Sequence, residues 1–328
     1  MSTLRKTYKT LLIPAVVALV LEVICLINGE NVISGSKSFD NFVVYTAIVM
    51  ITTMALSINL NSGRFDFSLG SMAALSSVIG AKVTYAFLQG GSGSSAMMLI
   101  ITILAGTILG LISGLIYCIL RLPPIIVSLG ITLIYEGIMY TITGGKYLMR
   151  EVQNGSMSAF AGTWVYAAIL IVAALAFMII VFEKTSFGYD YNALKSGQKV
   201  AVSTGINEVK NALICYMICG GMMGVVGMLS AARNTTINGG QLNFGSISIM
   251  FTAFLPMFIA GYIGRFGYEK IGFLSAAVCM SLLNSTFAVF SNKVGATSQS
   301  IINALLLVVF LIYLNNNHLI KRILKYER

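Results

Sequence analysis

Four ionisable residues fall inside or at the edge of strongly apolar stretches: Glu22, Asp66, Lys82 and Glu136. Burying a charge in hydrocarbon costs several kcal/mol on insertion scales, so such residues usually mark a pathway, a proton relay or an ion pair. Lys82 lies near the end of its stretch, where its stem can carry the ammonium to the interface. Glu22 lies past the middle of the first stretch, placed to pair with Lys82 or with a neighbouring subunit. Glu136 sits near the middle of its own stretch, after a start broken by Pro123-Pro124, and is the isolated carboxylate best placed for a pathway. Asp66, followed by Phe67 and Ser68, precedes an apolar run. There it can cap a helix, since Asp and Ser accept free backbone N–H groups, or line a path beside the helix end.

None of these groups makes a catalytic set. The single histidine, His318, lies in a basic tail, and Asp190 has no second carboxylate nearby. A membrane-embedded transferase would need paired acids or a histidine for acid–base or metal work, so no catalytic residue is expected. The sequence also lacks the Gly-x-x-x-x-Gly-Lys-Ser/Thr loop that cradles phosphates, and any ATP chemistry must come from another chain. Cys25, Cys118, Cys215, Cys219 and Cys279 all fall in apolar stretches and read as small hydrophobes. No disulfide framework and no metal site is expected from them, and the 17 methionines read as packing residues rather than a copper relay.

The elements that must position these residues follow from composition. Of the 328 residues 57% are hydrophobic and 10% charged, with a mean hydropathy of +0.87, against about a quarter charged in soluble domains. A water-soluble globular enzyme is excluded. The formal net charge of +10 is scattered between apolar runs and makes no basic face, so nucleic acid is not the expected partner; membrane orientation and lipid are.

A membrane helix needs roughly 20 apolar residues. The runs 10–28, 41–60, 68–88, 96–120, 124–143, 164–182, 211–232, 246–264, 272–290 and 300–315 then predict about ten transmembrane helices in a single transmembrane domain, 1–328. The first has the basic start of a signal peptide but no small-residue cleavage site, and reads as an uncleaved helix. With the N-terminus inside, 15 of the 21 Lys and Arg fall in inner segments and 5 in outer ones. This charge asymmetry places both termini and the polar 183–210 connection in the cytoplasm.

Two features bear on how the helices meet. Asn61-Ser-Gly-Arg-Phe-Asp-Phe67 can be laid over Asn238-Gly-Gly-Gln-Leu-Asn-Phe244, with Asp66 on Asn243. In the predicted topology the copies lie at opposite ends, the pattern of an inverted repeat around a central site. Gly106, Gly110 and Gly114 on one helix, and Gly220 and Gly224 on another, are spaced for close backbone packing. Pro256 is expected to kink or shorten the eighth span.

Several stretches resemble the ribose-type permeases, the membrane subunits of bacterial ABC importers for sugars. Gly63-Arg-Phe-Asp-Phe-Ser-Leu-Gly-Ser71 is similar to that family's Gly-Gly-Ile-Asp-Leu-Ser-Val-Gly-Ser segment. Leu122-Pro-Pro-Ile-Ile-Val-Ser-Leu-Gly130 and Thr143-Gly-Gly145 follow in the family's order, as do Phe187-Gly188, Ala193, Ala201 and Gly205-Ile-Asn207 of the cytoplasmic segment. The chain departs from the pattern at Tyr189, where the family usually has Arg, and at Gly197, where it usually has Asn. Its Gly-rich stretch is reduced to Gly261-Tyr-Ile-Gly-Arg-Phe-Gly267, followed by Tyr268 and Glu269.

The resemblance implies an inner-membrane permease that forms a homo- or heterodimer with a second permease subunit. It also implies two cytoplasmic ATP-binding subunits, which hold the ATP and Mg, and an extracytoplasmic solute-binding protein. A short helix around Gln198 to Ser203 would sit in a groove of the ATPase, with Phe187, Gly188, Val200, Ala201, Val202, Gly205 and Ile206 as the coupling residues. Asp66, Phe67, Ser68, Glu136, Asn243 and Phe244 would line the translocation pathway. The rival readings are an ion-coupled secondary transporter, with Glu136 or Asp66 as its coupling carboxylate, and a permease for nucleosides.

Overall fold

The computed structural model describes residues 3–89, 94–153, 161–264, 268–290 and 296–315. These form an all-α membrane protein, as the hydropathy predicts. Eight helical stretches among them are long and apolar enough to cross a membrane, and Leu12–Ile27 and Ile301–Ile312 add two shorter apolar helices. The ten expected runs therefore all appear as helix, two of them below full spanning length. His318 and the residues after it lie outside the described residues, as do 265–267 of the expected Gly-rich loop.

In chain order the elements are α1 (Thr3–Ile27), α2 (Ser36–Asn61), α3 (Leu69–Leu88), α4 (Ser94–Leu120), α5 (Pro124–Thr143), β1 (Tyr147–Leu148) and α6 (Arg150–Gln153). Then come α7 (Trp164–Lys184), α8 (Ser186–Ser196), α9 (Gln198–Ser203), α10 (Glu208–Asn234) and β2 (Ile237–Asn238). The chain continues through α11 (Ile247–Phe251), α12 (Phe254–Gly264), α13 (Glu269–Val289) and α14 (Ala296–Asn315). The expected eighth span is thus two helices. Pro256, which has no N–H to give, stands in the first turn of α12, where a missing donor is tolerated.

Helix α10 is the centre of the bundle and packs against α2, α3 and α4. The glycines fix its contact with α4. A Cβ at Gly106 would run into the Gly220 carbonyl, one at Gly220 into that of Gly106, one at Gly110 into that of Tyr216, and one at Gly224 into that of Thr102. Backbone lies on backbone over several turns, the approach that small residues permit between membrane helices. On α4 the opposite face carries Ile100, Leu104, Ile108 and Ile112 at four-residue spacing, all exposed. Such an outward apolar stripe is what a lipid-facing helix presents.

The connections sort to two ends. At one end the 62–68 turn, α8 and α9 and the start of α13 converge, through Arg64 to Glu208, Lys195 to Glu269 and Tyr268 to Glu183. At the other, β1 and β2 pair antiparallel, Asp40 accepts from the Trp164 N–H, and Arg150 lies over the Tyr85 ring. Glu22 is bound within its own chain, accepting from the Val32 N–H at 3.2 Å.

Candidate translocation site and coupling segment

Two breaks between consecutive membrane helices meet inside the bundle, and each is held by a buried carboxylate. After α2 the chain turns at Gly63, whose φ of 74° suits glycine, and runs without helix to Ser68, which caps the start of α3. Asp66 accepts from the Ser68 N–H at 2.8 Å and the Ser68 hydroxyl at 2.6 Å through Oδ1. Its Oδ2 accepts from Asn59 Nδ2 at 3.4 Å. Asp66 and Ser68 are both buried.

The second interruption lies between β2 and α11. Glu136, 0% exposed on α5, receives the Ser246 N–H at 2.8 Å and the Ser246 hydroxyl at 2.6 Å on Oε1, and the Phe244 N–H at 2.9 Å on Oε2. Asn243 and Phe244 stand at φ 56° and 66°. Asn tolerates that left-handed region; for a bulky aromatic residue it is strained and must be held by its surroundings. Here the carboxylate supplies the hold. The two breaks are in contact, because a Cβ at Gly70 would run into the Ser246 carbonyl.

The two halves are therefore matched serine for serine. Ser68 and Ser246 each start a helix, and each gives its N–H and hydroxyl to one carboxylate oxygen. The alignment of Asn61–Phe67 on Asn238–Phe244 placed Asp66 on Asn243; the structure assigns the role of Asp66 to Glu136, brought from α5, and leaves the Asn243 side chain exposed. The serine match is one residue out of that register.

Of the six residues proposed for the pathway, Asp66, Ser68 and Glu136 are buried as holders of the helix breaks. Phe67 is half-buried, and Asn243 and Phe244 are exposed. Sequence reading missed the aromatic patch beside them. Phe67 lies 6.1 Å from Phe251 and 4.7 Å from Phe65, and Phe65 lies 5.7 Å from Phe254, ring centre to ring centre. The first break and the α11–α12 junction contribute to this patch, and Phe251 is its exposed member. The signal available in sequence was the pair of Phe residues flanking Asp66, but their partners lie nearly 200 positions away in the chain.

At the other candidate site, α8 and α9 fold back on the end of α7. Thr185 caps α8 by accepting from the Gly188 N–H at 3.2 Å. Gly188 packs against the α7 backbone, where a Cβ would meet Val181 and Phe182 carbonyl atoms. Phe187 is half-buried, its ring 5.6 Å from that of Phe182, and Tyr191 stands 4.9 Å from the same ring. The Tyr191 hydroxyl donates to the Ile58 carbonyl of α2 at 3.1 Å, and burial pushes its phenol well above the usual range, so it remains a donor. Tyr268, pushed up to about 12 by burial and then by Glu183, likewise donates to that carboxylate at 2.6 Å.

Helix α9 spans Gln198–Ser203, the segment the sequence marks as the coupling helix. Ala201 turns inward, whereas Val200 and Val202 are 70% and 44% exposed. Gly205, at φ 93°, closes the turn that brings the Ile206 N–H to the Ala201 carbonyl at 3.3 Å. Phe187, Gly188, Ala201, Gly205 and Ile206 thus shape and anchor the segment, and Val200 and Val202 are its outward face. A polar path leads inward: Gln198 Nε2 donates to Glu208 Oε1 at 2.5 Å, and Arg64 Nη2 lies 3.6 Å from the same oxygen. Arg64 is buried two residues before Asp66. Cys215 and Cys219 pack within α10, Cys219 Sγ against the Ala55 carbonyl at 3.3 Å, and among the described residues no group of His, Cys, Asp and Glu could hold a metal.

Helix ends buried inside a membrane bundle, with an extramembrane helix pair tied to one of them, are the kind of arrangement by which transporters present helix ends at a central site. Residues 38–314 match the family described as the permease component of branched-chain amino acid transport systems, and the chain belongs to that family. Among curated relatives, the galactose/methyl galactoside import permease MglC of Haemophilus influenzae is 26% identical over 60% of this chain and 63% of its own length. The MglC protein of Escherichia coli K12 is 26% identical over 66% of this chain and 69% of its own length. The autoinducer 2 import system permease LsrC of Escherichia coli is 24% identical over 57% of this chain and 54% of its own length. The chain therefore spans between about half and two thirds of the length of these relatives. No solved structure matches it.

Proposed function

We propose that this chain is the membrane-spanning permease subunit of an ABC importer in the bacterial inner membrane, passing a sugar or similar small polar solute. The observation that carries the reading is the Gln198–Glu208–Arg64 path, which ties an exposed extramembrane helix to the first helix break. Closure of an ATPase dimer against α9 would shift Gln198 and Glu208, and with them the Arg64–Ser68 turn on which α3 begins. Opening of the path is then a mechanical transition between two packings, and this chain performs no chemistry of its own. ATP and Mg belong to the partner ATP-binding subunits, and the solute is delivered by an extracytoplasmic binding protein. A second permease subunit completes the path, the exposed Asn243, Phe244 and Phe251 facing it.

The reading is favoured over ion-coupled transport by the state of Glu136. Both of its oxygens are taken by donors of the α11 entry, so it serves as a fixed helix holder rather than standing open to a path.

The test is purification of tagged protein from its native membrane in mild detergent, with identification of what co-purifies and an ATPase assay. The expected result is an ATP-binding subunit that is lost on Val200→Asp. Recovery of the chain alone, repeated after crosslinking, overturns the importer.

A further inference from the structure

A cavity of about 200 Å³ lies between α3, α10 and the segment that links β2 to α11. It lies beside the junction of the two helix breaks: Ala73 and Ala74, one turn beyond Gly70, form one wall, and Gln241 and Ile249, on either side of Ser246, form another. Gly227 brings α10 against the Ala73 carbonyl at this level, and any side chain there would close the space.

The lining is polar and carries no charge. Ser77, Ser230, Asn234, Thr236, Asn238 and Gln241 face the cavity, and the remaining wall is small or aliphatic. Two of these groups are left over by the fold, since Thr236 Oγ1 and Gln241 Oε1 are buried without a hydrogen-bond partner. A buried polar atom without a partner is destabilising, and native proteins keep few of them without a reason. Uncharged donors and acceptors select a neutral, hydroxyl-rich ligand, because an ion would lose its hydration here with no opposite charge to replace it. The volume is below the roughly 300–1,000 Å³ of drug-sized sites and about seven times the ~30 Å³ share of one liquid water, which is room for one monosaccharide-sized molecule.

We propose that this cavity is a solute subsite within a single protomer, taking a neutral polyol or monosaccharide directly beside the paired helix breaks, with Thr236 and Gln241 as its recognition groups. The inference deepens the importer reading and rests on it. Movement of the Gly70–Ser246 contact would deform the cavity, so release of the solute would follow the same transition that opens the path.

The test uses S230C in the full chain, with Cys118 replaced by Ser, in native membrane vesicles containing the co-expressed transport complex. Alkylation of S230C is measured with D-galactose, D-ribose, myo-inositol, uridine, L-leucine and galacturonate. Protection by at least one of the three monosaccharide-sized polyols, reaching about tenfold at ten times Kd and lost in T236V/Q241L, is the expected result. That double variant should also lower ATP-driven uptake of the protecting solute. Absence of protection by all three polyols, or equal protection by leucine and galacturonate, overturns the subsite; protection by uridine alone overturns the monosaccharide assignment. ATP-driven uptake of a polyol that leaves S230C unprotected removes the cavity and spares the importer, whereas protection without ATP-driven uptake removes the importer.

Discussion

Glu136 Oε1 receives both the backbone N–H and the hydroxyl of Ser246, at 2.8 and 2.6 Å, across 110 positions of chain. One carboxylate on a continuous helix thereby fixes the start of another helix that begins inside the bundle. Asp66 does the same for Ser68 from two residues away. The long-range version has a consequence the local one lacks, because it locks α11 to α5 as well as capping it.

Removing that carboxylate should therefore be costly. Glu136→Ala leaves three donors unpaired, two of them buried, and should lower stability by roughly 3 kcal/mol. Glu136→Gln can still receive the Ser246 pair on its carbonyl oxygen but turns an amide N–H toward the Phe244 N–H, and should cost about half as much. Thermal unfolding in detergent, followed by size-exclusion chromatography of a fluorescent fusion, checks the order. A Gln variant as unstable as the Ala variant would show that charge, not hydrogen-bond shape, holds α11.

The contact between the two breaks gives a second prediction. Gly70 is packed on the Ser246 carbonyl, so Gly70→Ala must separate α3 from α11 even though alanine is the better helix former. It should lower ATP-driven uptake strongly and stability by about 1–3 kcal/mol, the usual cost of overpacking. Gly130, inside α5 with nothing near a Cβ at its position, is the matched control, and Gly130→Ala should leave uptake unchanged and stability unchanged or raised by up to about 1 kcal/mol.

Much of this architecture was legible in the chain. Long apolar runs reveal membrane helices because lipid leaves the backbone no partner but itself, and all ten appear. The four-residue glycine spacing reported the α4–α10 contact for the same local reason. The short helix from Gln198 to Ser203 was legible, with Val200 and Val202 as its apolar contact pair, but the inward turn of Ala201 between them was not, since a six-residue helix has too few residues for a periodicity. The holder role of Glu136 was hidden because its partners are backbone groups, to which residue type is blind. The repeat pointed to the right segments and mispaired them by one residue, since what the two halves share is a serine geometry and the carboxylates come from different elements.

The polar path from α9 predicts uncoupling. Glu208→Gln keeps the hydrogen bond to Gln198 in shape but removes the charge beside buried Arg64; Glu208 is one-third exposed, so solvent screens the loss and the change should cost about 1 kcal/mol. Arg64→Met with Glu208→Gln removes both charges and should restore stability. In vesicles the double variant should keep ATPase binding and hydrolysis while losing solute uptake, since α9 would no longer pull on the 62–68 turn. Uptake that stays in step with hydrolysis would disconnect this path from coupling.

The outward face of α9 separates docking from folding. Val200 is 70% exposed whereas Ala201 is 5% exposed against its own chain. Val200→Asp should therefore leave thermal stability within about 0.5 kcal/mol, as surface changes usually do, and abolish co-purification of the ATP-binding subunit. Ala201→Asp places a carboxylate in the α8–α9 contact and should lower stability by about 1–3 kcal/mol through burial of an unpaired polar group, losing the partner only because the segment is disrupted. Measuring stability and partner recovery on the same preparations distinguishes the two. If Val200→Asp retained the ATPase at wild-type yield, α9 would not be the docking helix, and the exposed Tyr189 on α8, which stands where related permeases carry Arg, would be the next position to substitute.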